Sequence, residues 1–253
     1  MKSKLRIVQY SLTGCEGCAI SLINVLLSKS ITEYVDIVSS RILGKVDLQE
    51  ADMAIIDGSV ITEEDAKIIR DLRRYCRYIV ALGTCACLGG INALREFVEF
   101  EDAVRVVYGG VIPGVPHTTR VEPVTSIIDV DFIIPGCPPL PSDIENFIIS
   151  VILGKKFRLH EEPVCYECKV QGFECVITKG LVCLGPITRG GCKALCIAYG
   201  VPCWGCRGLA EEPRFDVLLD AVRNKGLDVN AICEKLMIFL NKMRKSMDLR
   251  CQD

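Results

Sequence analysis

Sixteen cysteines, eight of them between Cys165 and Cys206, constrain this 253-residue chain more than any other feature. A chain of this length can bury a sizeable core without covalent staples, and a reducing compartment would not keep a disulfide framework. Metal ligation is therefore the leading reading, with disulfides the competing one, since hyperthermophile cytoplasm is an exception to the redox rule. Thirty Lys plus Arg against thirty-two Asp plus Glu leaves a formal charge of −2. That balance supplies no broad cationic field for nucleic acid or an anionic membrane. The opening MKSKLRIVQYSLTG passes from lysines into a strand-like run, without the apolar region and cleavage site of a signal peptide or a twin-arginine pair. Apolar stretches such as residues 147–153 are far shorter than the ~20 residues that span a bilayer. The expectation is a soluble, cytoplasmic chain with no membrane span and no nucleic-acid partner.

From Lys4 to about Ser150 short β-branched runs alternate with helical patterns, the rhythm of a parallel sheet wrapped by helices. The predicted strands are Leu5–Tyr10, Val35–Ser39, Met53–Ile56, Tyr78–Leu82 and Phe132–Ile134, and the predicted helices Ala19–Leu27, Glu63–Tyr75 and Ser142–Leu153. Thr62 followed by acidic residues marks the start of the second helix. The fold class expected is α/β: a flavodoxin-like parallel sheet over residues 1–155, then a small irregular cysteine-rich domain with terminal helices over residues 156–253. The segment 165–208 has little apolar periodicity and is expected to need something inorganic to organise it. An amphipathic pattern from Pro213 to Lys245 predicts one or two closing helices.

Functional loops of open parallel sheets lie at the carboxyl ends of strands, and three cysteine-bearing segments fall there: 11–18, 83–87 and 135–139. Cys15 and Cys18 form a Cys-x₂-Cys pair in a glycine-containing turn, a spacing that lets two thiolates reach one centre and that zinc sites and redox dithiols also use. Cys85 in Gly-Thr-Cys-Ala and Cys137 in Pro-Gly-Cys-Pro-Pro are flanked by residues that let backbone turn sharply. Four thiolates from three loops are compatible with a 4Fe-4S site.

These three loops resemble, in order and position by position, those that hold the proximal cluster in the small subunits of nickel–iron hydrogenases. The likeness continues in Cys183-LGPITRGG-Cys192 and Pro202-Cys203-Trp204-Gly205-Cys206, so the motifs run from residue 15 to residue 206. The resemblance implies three 4Fe-4S clusters: a proximal one on Cys15, Cys18, Cys85 and Cys137; a medial one on Cys192, Cys196, Cys203 and Cys206; and a distal one on Cys165, Cys168, Cys175 and Cys183. Cys165 stands where some relatives use histidine, and Cys196 where some have proline and a three-iron cluster. The family places the nickel–iron centre on a separate large subunit, so this chain is expected to carry electrons between that subunit and a further flavin or iron–sulfur subunit, with no catalytic residue of its own. The all-cysteine pattern is most like the archaeal groups that serve a deazaflavin or a heterodisulfide reductase.

Four cysteines remain: Cys76 and Cys233 read as small core residues, Cys87 as core or as an alternative to Cys85, and Cys251 has no assigned role. Asp57 stands where many relatives have glutamate, and reads equally as a strand-end cap or a neighbour of the proximal cluster. Ala19 and Ile20 stand where many relatives place a glutamate, so no carboxylate role is carried over there. His117 and His160 read as surface residues, and Trp204 as a shield of a cluster against water. No GxGxxG or Walker motif is present. The alternatives are a complex I-like subunit, against which Cys15-Glu-Gly-Cys18 and residues 165–206 count, an iron–sulfur subunit of a related non-hydrogenase oxidoreductase, which shares the same sequence features, and a structural zinc protein.

Overall fold

The computed structural model describes residues 4–44, 49–110 and 120–244. In chain order the elements are β1 (Leu5–Ser11), α1 (Gly17–Leu26), β2 (Val35–Ser40), β3 (Ala51–Asp57), α2 (Glu63–Tyr75), β4 (Cys76–Leu82), α3 (Gly83–Leu88) and α4 (Phe100–Tyr108). They continue with β5 (Phe132–Ile134), α5 (Pro141–Ile152), α6 (Val164–Val170), α7 (Leu195–Ala198), α8 (Phe215–Arg223) and α9 (Asn230–Arg244). His117, Lys245 and Cys251 lie outside the described residues.

The five strands pair in parallel in the order β2-β1-β3-β4-β5, the flavodoxin-like order expected. Strands buried on both faces read as nearly continuous apolar runs, and Met53–Ile56 of β3 and Tyr78–Leu82 of β4 do. Along β3, Met53 and Ile55 face a core that includes Leu22, Ile144 and Phe147 of α1 and α5, whereas Ala54 and Ile56 face Ala66, Ile69 and Leu72 of α2. The period of two thus divides one hydrophobic run between two helix layers. Register is level at one end of the sheet: Ser11 pairs with Asp57, Asp57 with Leu82, and Leu82 with Ile134. The loops after β1, β4 and β5 therefore leave the sheet side by side.

The cysteine-rich segment, despite its lack of apolar periodicity, buries a few apolar side chains of its own. Val164, Val176, Ile177, Ala194 and Ile197 form a small buried cluster, whose other buried members are Cys168, Cys183 and Cys203. A second cluster joins Val182, Leu184 and Ile187 to Leu218 and Val222 of α8 and to Ile232, Leu236 and Leu240 of α9. The closing pattern is thus two helices. The last returns to the first half of the chain: Asn241 Nδ2 donates to the Ala93 carbonyl at 3.4 Å, and Lys242 pairs with Glu96. Among the described residues no helix is long and apolar enough to cross a membrane.

Thr62 closes a reciprocal capping box at the start of α2: its Oγ1 accepts from the Asp65 amide at 3.1 Å, and Asp65 Oδ2 accepts from the Thr62 amide at 3.0 Å. Thr62→Ala is expected to lower unfolding stability by about 1 kcal/mol, measured by denaturant titration, with no change in bound iron, because the capping-box hydrogen bonds run only between Thr62 and Asp65.

Candidate metal centres

The first group of cysteines assembles at the level end of the sheet. Cys15 lies in the loop after β1, Cys18 in the first turn of α1, Cys85 in α3 directly after β4, and Cys137 three residues beyond β5. Between the first two, Glu16 adopts a left-handed conformation, φ 62°, which turns the chain within three residues. Burial raises the pKa of Cys18 far above the ordinary thiol range, and Asp57, Cys85, Cys137 and Cys15 add to it. Cys85 is raised by burial and then by Cys137 and Cys15, and Cys137 by burial and then by Cys15. The four thiols thus lie within reach of one another's charge.

Two glycines fit the backbone around them. A Cβ on Gly83, φ +83°, would overlap the Cys18 sulfur. A Cβ on Gly90, φ +56°, would stand 2.8 Å from the Cys85 sulfur. Both positions need the left-handed conformation and the missing side chain together.

The second group lines a cavity of about 620 Å³. Cys192, Cys196, Cys203 and Cys206 face it, with Cys137 of the first group at its edge and Leu195, Trp204, Ile238 and Phe239 among its apolar walls. Burial pushes Cys206 up to about 11, with contributions from Cys192, Cys137 and Cys196, while a hydrogen bond from the Cys137 amide opposes it. Cys203 is raised by burial and eased by Thr188. Cys192 is raised by burial and by Glu167, and lowered by Arg207.

The third group lies beyond. Cys168 is raised by burial and then by Cys165, Cys175 and Cys183. Cys183 is raised by burial, with Cys165 and Cys175 adding and the amides of Cys203 and Gly185 opposing. The amide of Cys203 donates to the Cys183 sulfur at 3.2 Å, so the second and third groups adjoin. The first and second adjoin through Cys137 and Cys206 and through a hydrogen bond from Thr84 Oγ1 to the Cys206 carbonyl. Among the described residues no three His, Cys, Asp or Glu side chains are drawn onto a single point as for a lone metal ion. The thiols of the second group instead border a cavity.

This donor set fits iron–sulfur clusters. Buried thiols that raise one another's pKa need nearby positive charge to ionise, and a bound metal centre supplies it, inverting the local pKa logic. A cavity bordered by five cysteines and otherwise mostly apolar suits a multinuclear group held by thiolates.

The other singled-out residues divide. Cys76 is a buried core residue of the α2 face, and so is Cys87, whose thiol donates to the Ala81 carbonyl at 3.2 Å and is pushed up to about 12 by burial. Cys233 is half-buried on α9 and disulfide-bonded, so it does more than fill space. Asp57 accepts from Ser11 Oγ at 3.0 Å and Gln9 Nε2 at 3.1 Å, and burial pushes its carboxyl up to about 6. His160 is exposed. Trp204 is half-buried against the cavity.

Arg207 was not legible beforehand. It is 3 % exposed and bridges the halves of the chain: Nε donates to the Gly190 carbonyl at 2.7 Å, Nη1 to Asp143 at 2.7 Å and to the Pro135 carbonyl at 3.3 Å. It thereby ties the loops that precede Cys137 and Cys192 to each other. Its one sequence signal is adjacency to Cys206.

Comparison with known proteins gives a consistent picture. The family model described as the NADH ubiquinone oxidoreductase 20 Kd subunit matches residues 15–151. The chain is 38 % identical over 203 residues to sulfhydrogenase 2 subunit delta of Pyrococcus furiosus, covering 79 % of this chain and 84 % of that one. It is 34 % identical over 245 residues to a subunit of the F420-non-reducing hydrogenase of Methanococcus voltae, covering 84 % and 85 %. Among solved structures, a chain of an NAD+-reducing [NiFe]-hydrogenase superposes with a TM-score of 0.55 at 30 % identity, over 61 % of this chain and 94 % of that one. A [NiFeSe]-hydrogenase chain from Dm. baculatum, at 18 % identity, has the same TM-score over 84 % and 96 % and speaks to the fold alone.

Two outcomes test the geometry. Gly83→Ala is expected to displace Cys18 and remove the electron paramagnetic resonance signal of a cluster at the sheet end, while the C-terminal signals persist. Arg207→Met leaves Asp143 partly buried without its partner and is expected to lower stability by about 3 kcal/mol in thermal unfolding, with Arg207→Lys intermediate.

Proposed function

The chain belongs to the family of NADH ubiquinone oxidoreductase 20-kDa subunits and, within it, to the small subunits of nickel–iron hydrogenases, and on that footing we propose that it relays electrons through three 4Fe-4S clusters. In this reading Cys15, Cys18, Cys85 and Cys137 hold the proximal cluster, Cys192, Cys196, Cys203 and Cys206 the medial one, and Cys165, Cys168, Cys175 and Cys183 the distal one. Hydrogen chemistry belongs to a large subunit carrying nickel and iron, and the far end of the relay meets a further flavin or iron–sulfur subunit. Relatives named for F420-non-reducing and sulfhydrogenase complexes support the archaeal type, and the setting proposed is cytoplasmic.

The observation that carries this reading is the unbroken succession of cysteine groups, joined by Cys137 with Cys206 and by Cys203 with Cys183. Bound there, each cluster supplies one-electron exchange at a potential set by charge, hydrogen bonds to sulfur and exposure to water. The chain's own residues do the rest. The level strand ends of β1, β4 and β5 fix the first four thiols, Arg207 fixes the loops of the first two groups against each other, and Leu195, Trp204, Ile238 and Phe239 give the middle cavity an apolar lining. Amides of Cys137, Cys203 and Gly185 aim at sulfurs, which favours the ionised thiolate.

The family model ends at residue 151, whereas the hydrogenase relatives cover 79 % and 84 % of the chain, which favours a hydrogenase over a complex I assembly. The complex purified without air tests this. Nickel is expected in a co-purifying larger subunit, and hydrogen gas is expected to reduce every cluster. Cys137→Ala is expected to keep about eight of about twelve irons and to block reduction of the C-terminal clusters by hydrogen. Full iron in that variant would contradict the proximal assignment, and iron without nickel would assign the relay to a different catalyst.

A further inference from the structure

One cation beside the cysteine groups takes no part in holding them. Lys235, half-buried on α9, lays its ammonium nitrogen 3.4 Å from the centroid of the Trp204 ring. Trp204 follows Cys203 directly and lines the middle cavity, and the Cys203 amide donates to the Cys183 sulfur at 3.2 Å. Lys235 therefore stands where the second and third groups meet. Its place is fixed by its own helix: the neighbouring Leu236 and Leu240 are fully buried against Leu184, and Leu240 packs on Gly205 between Cys203 and Cys206.

Partially burying an ammonium costs free energy unless something negative offsets it. Among the described residues no carboxylate lies within ion-pair distance of Lys235. The ring face offsets part of the cost. Burial pulls the lysine's pKa down, and the thiolates of Cys183 and Cys203 pull it back. By contrast Arg207, the cation near Cys192, is already paired with Asp143, so much of its charge is cancelled locally.

We infer that Lys235, held against Trp204, is the positioning residue that raises the reduction potential of the two C-terminal clusters above that of the proximal one. This rests on the cluster assignment proposed above. A four-thiolate cubane carries net negative charge and gains one more unit on reduction, so a fixed cation beside it stabilises the reduced form more than the oxidised form. Cys183 and Cys203 are the cysteines whose charge acts on Lys235, and none of the Cys15 group is among them, so the field is unequal. It favours electron flow from the proximal end toward the C-terminal end, the direction of hydrogen oxidation.

The test is a redox titration followed by electron paramagnetic resonance on the anaerobic complex, comparing wild type with Lys235→Gln, Lys235→Met and Lys235→Arg. Iron and sulfide are determined on each. In the two neutral variants the reduction equilibrium of the C-terminal clusters is expected to shift about tenfold toward the oxidised form, about 59 mV for one electron, with the proximal cluster unmoved. Lys235→Arg is expected to stay within about twofold of wild type. Unchanged potentials at full iron content would overturn the inference. So would an arginine variant shifted as far as the neutral ones, or loss of C-terminal iron in both neutral variants, because Lys235 would then serve packing and not potential. Failure of the cluster assignment itself is read separately, as absence of C-terminal cluster signals in the wild type.

Discussion

Neighbouring buried thiols oppose one another's ionisation, and most of this structure is organised around that conflict. Cys18, Cys203 and Cys206 each sit among other cysteines in low-dielectric surroundings that hold their protons on. A fold that concentrated such groups for packing alone would gain little, because a valine or alanine would pack as well without a polar atom to satisfy. The arrangement makes sense when positive charge enters with an iron–sulfur core and the thiols become ligands. The glycines at 83 and 90, the amides aimed at sulfur and the apolar walls of the middle cavity then share one purpose.

The sheet half was legible because its signals are local. All five strands and the three long helices of residues 5–152 stand within a few residues of the periods read from sequence, since apolar runs such as 53–56 and the Thr62 cap leave few alternatives. Residues 90–108 were not legible: the 3-10 turn at Gly90–Phe97 and α4 leave Phe97, Val106 and Val107 exposed, so no buried stripe marks them. The short α6 escaped because seven residues holding two cysteines carry no helical period.

At the site, the cysteines were legible by type and spacing, and the motif likeness grouped them; the structure brings the members of each group near one another. The cations were not. Arg207 looks from sequence like any residue after a cysteine pair, and its function depends on carbonyls 17 and 72 positions away. Lys235 lies on a helix whose pattern reports Ile232, Leu236 and Leu240 facing inward, and its stacking on Trp204 depends on how the cysteine-rich segment folds beneath it. Long-range partners of charged groups leave no periodic trace in a single sequence.

The halves of the chain are joined so that the succession of thiol groups is continuous. Arg207 with Asp143, Thr84 with the Cys206 carbonyl, and α9 with Ala93 and Glu96 each cross from the sheet to the cysteine-rich segment. Electron transfer through such a chain depends on spacing that these contacts hold fixed. The central claim is that twelve cysteines hold three cubanes, and the most direct measurement is iron, acid-labile sulfide and zinc per copy of this chain in the complex purified without air. About twelve irons and twelve sulfides are expected, without stoichiometric zinc. About four irons would leave only one cluster, and zinc without sulfide would contradict the electron-transfer reading altogether.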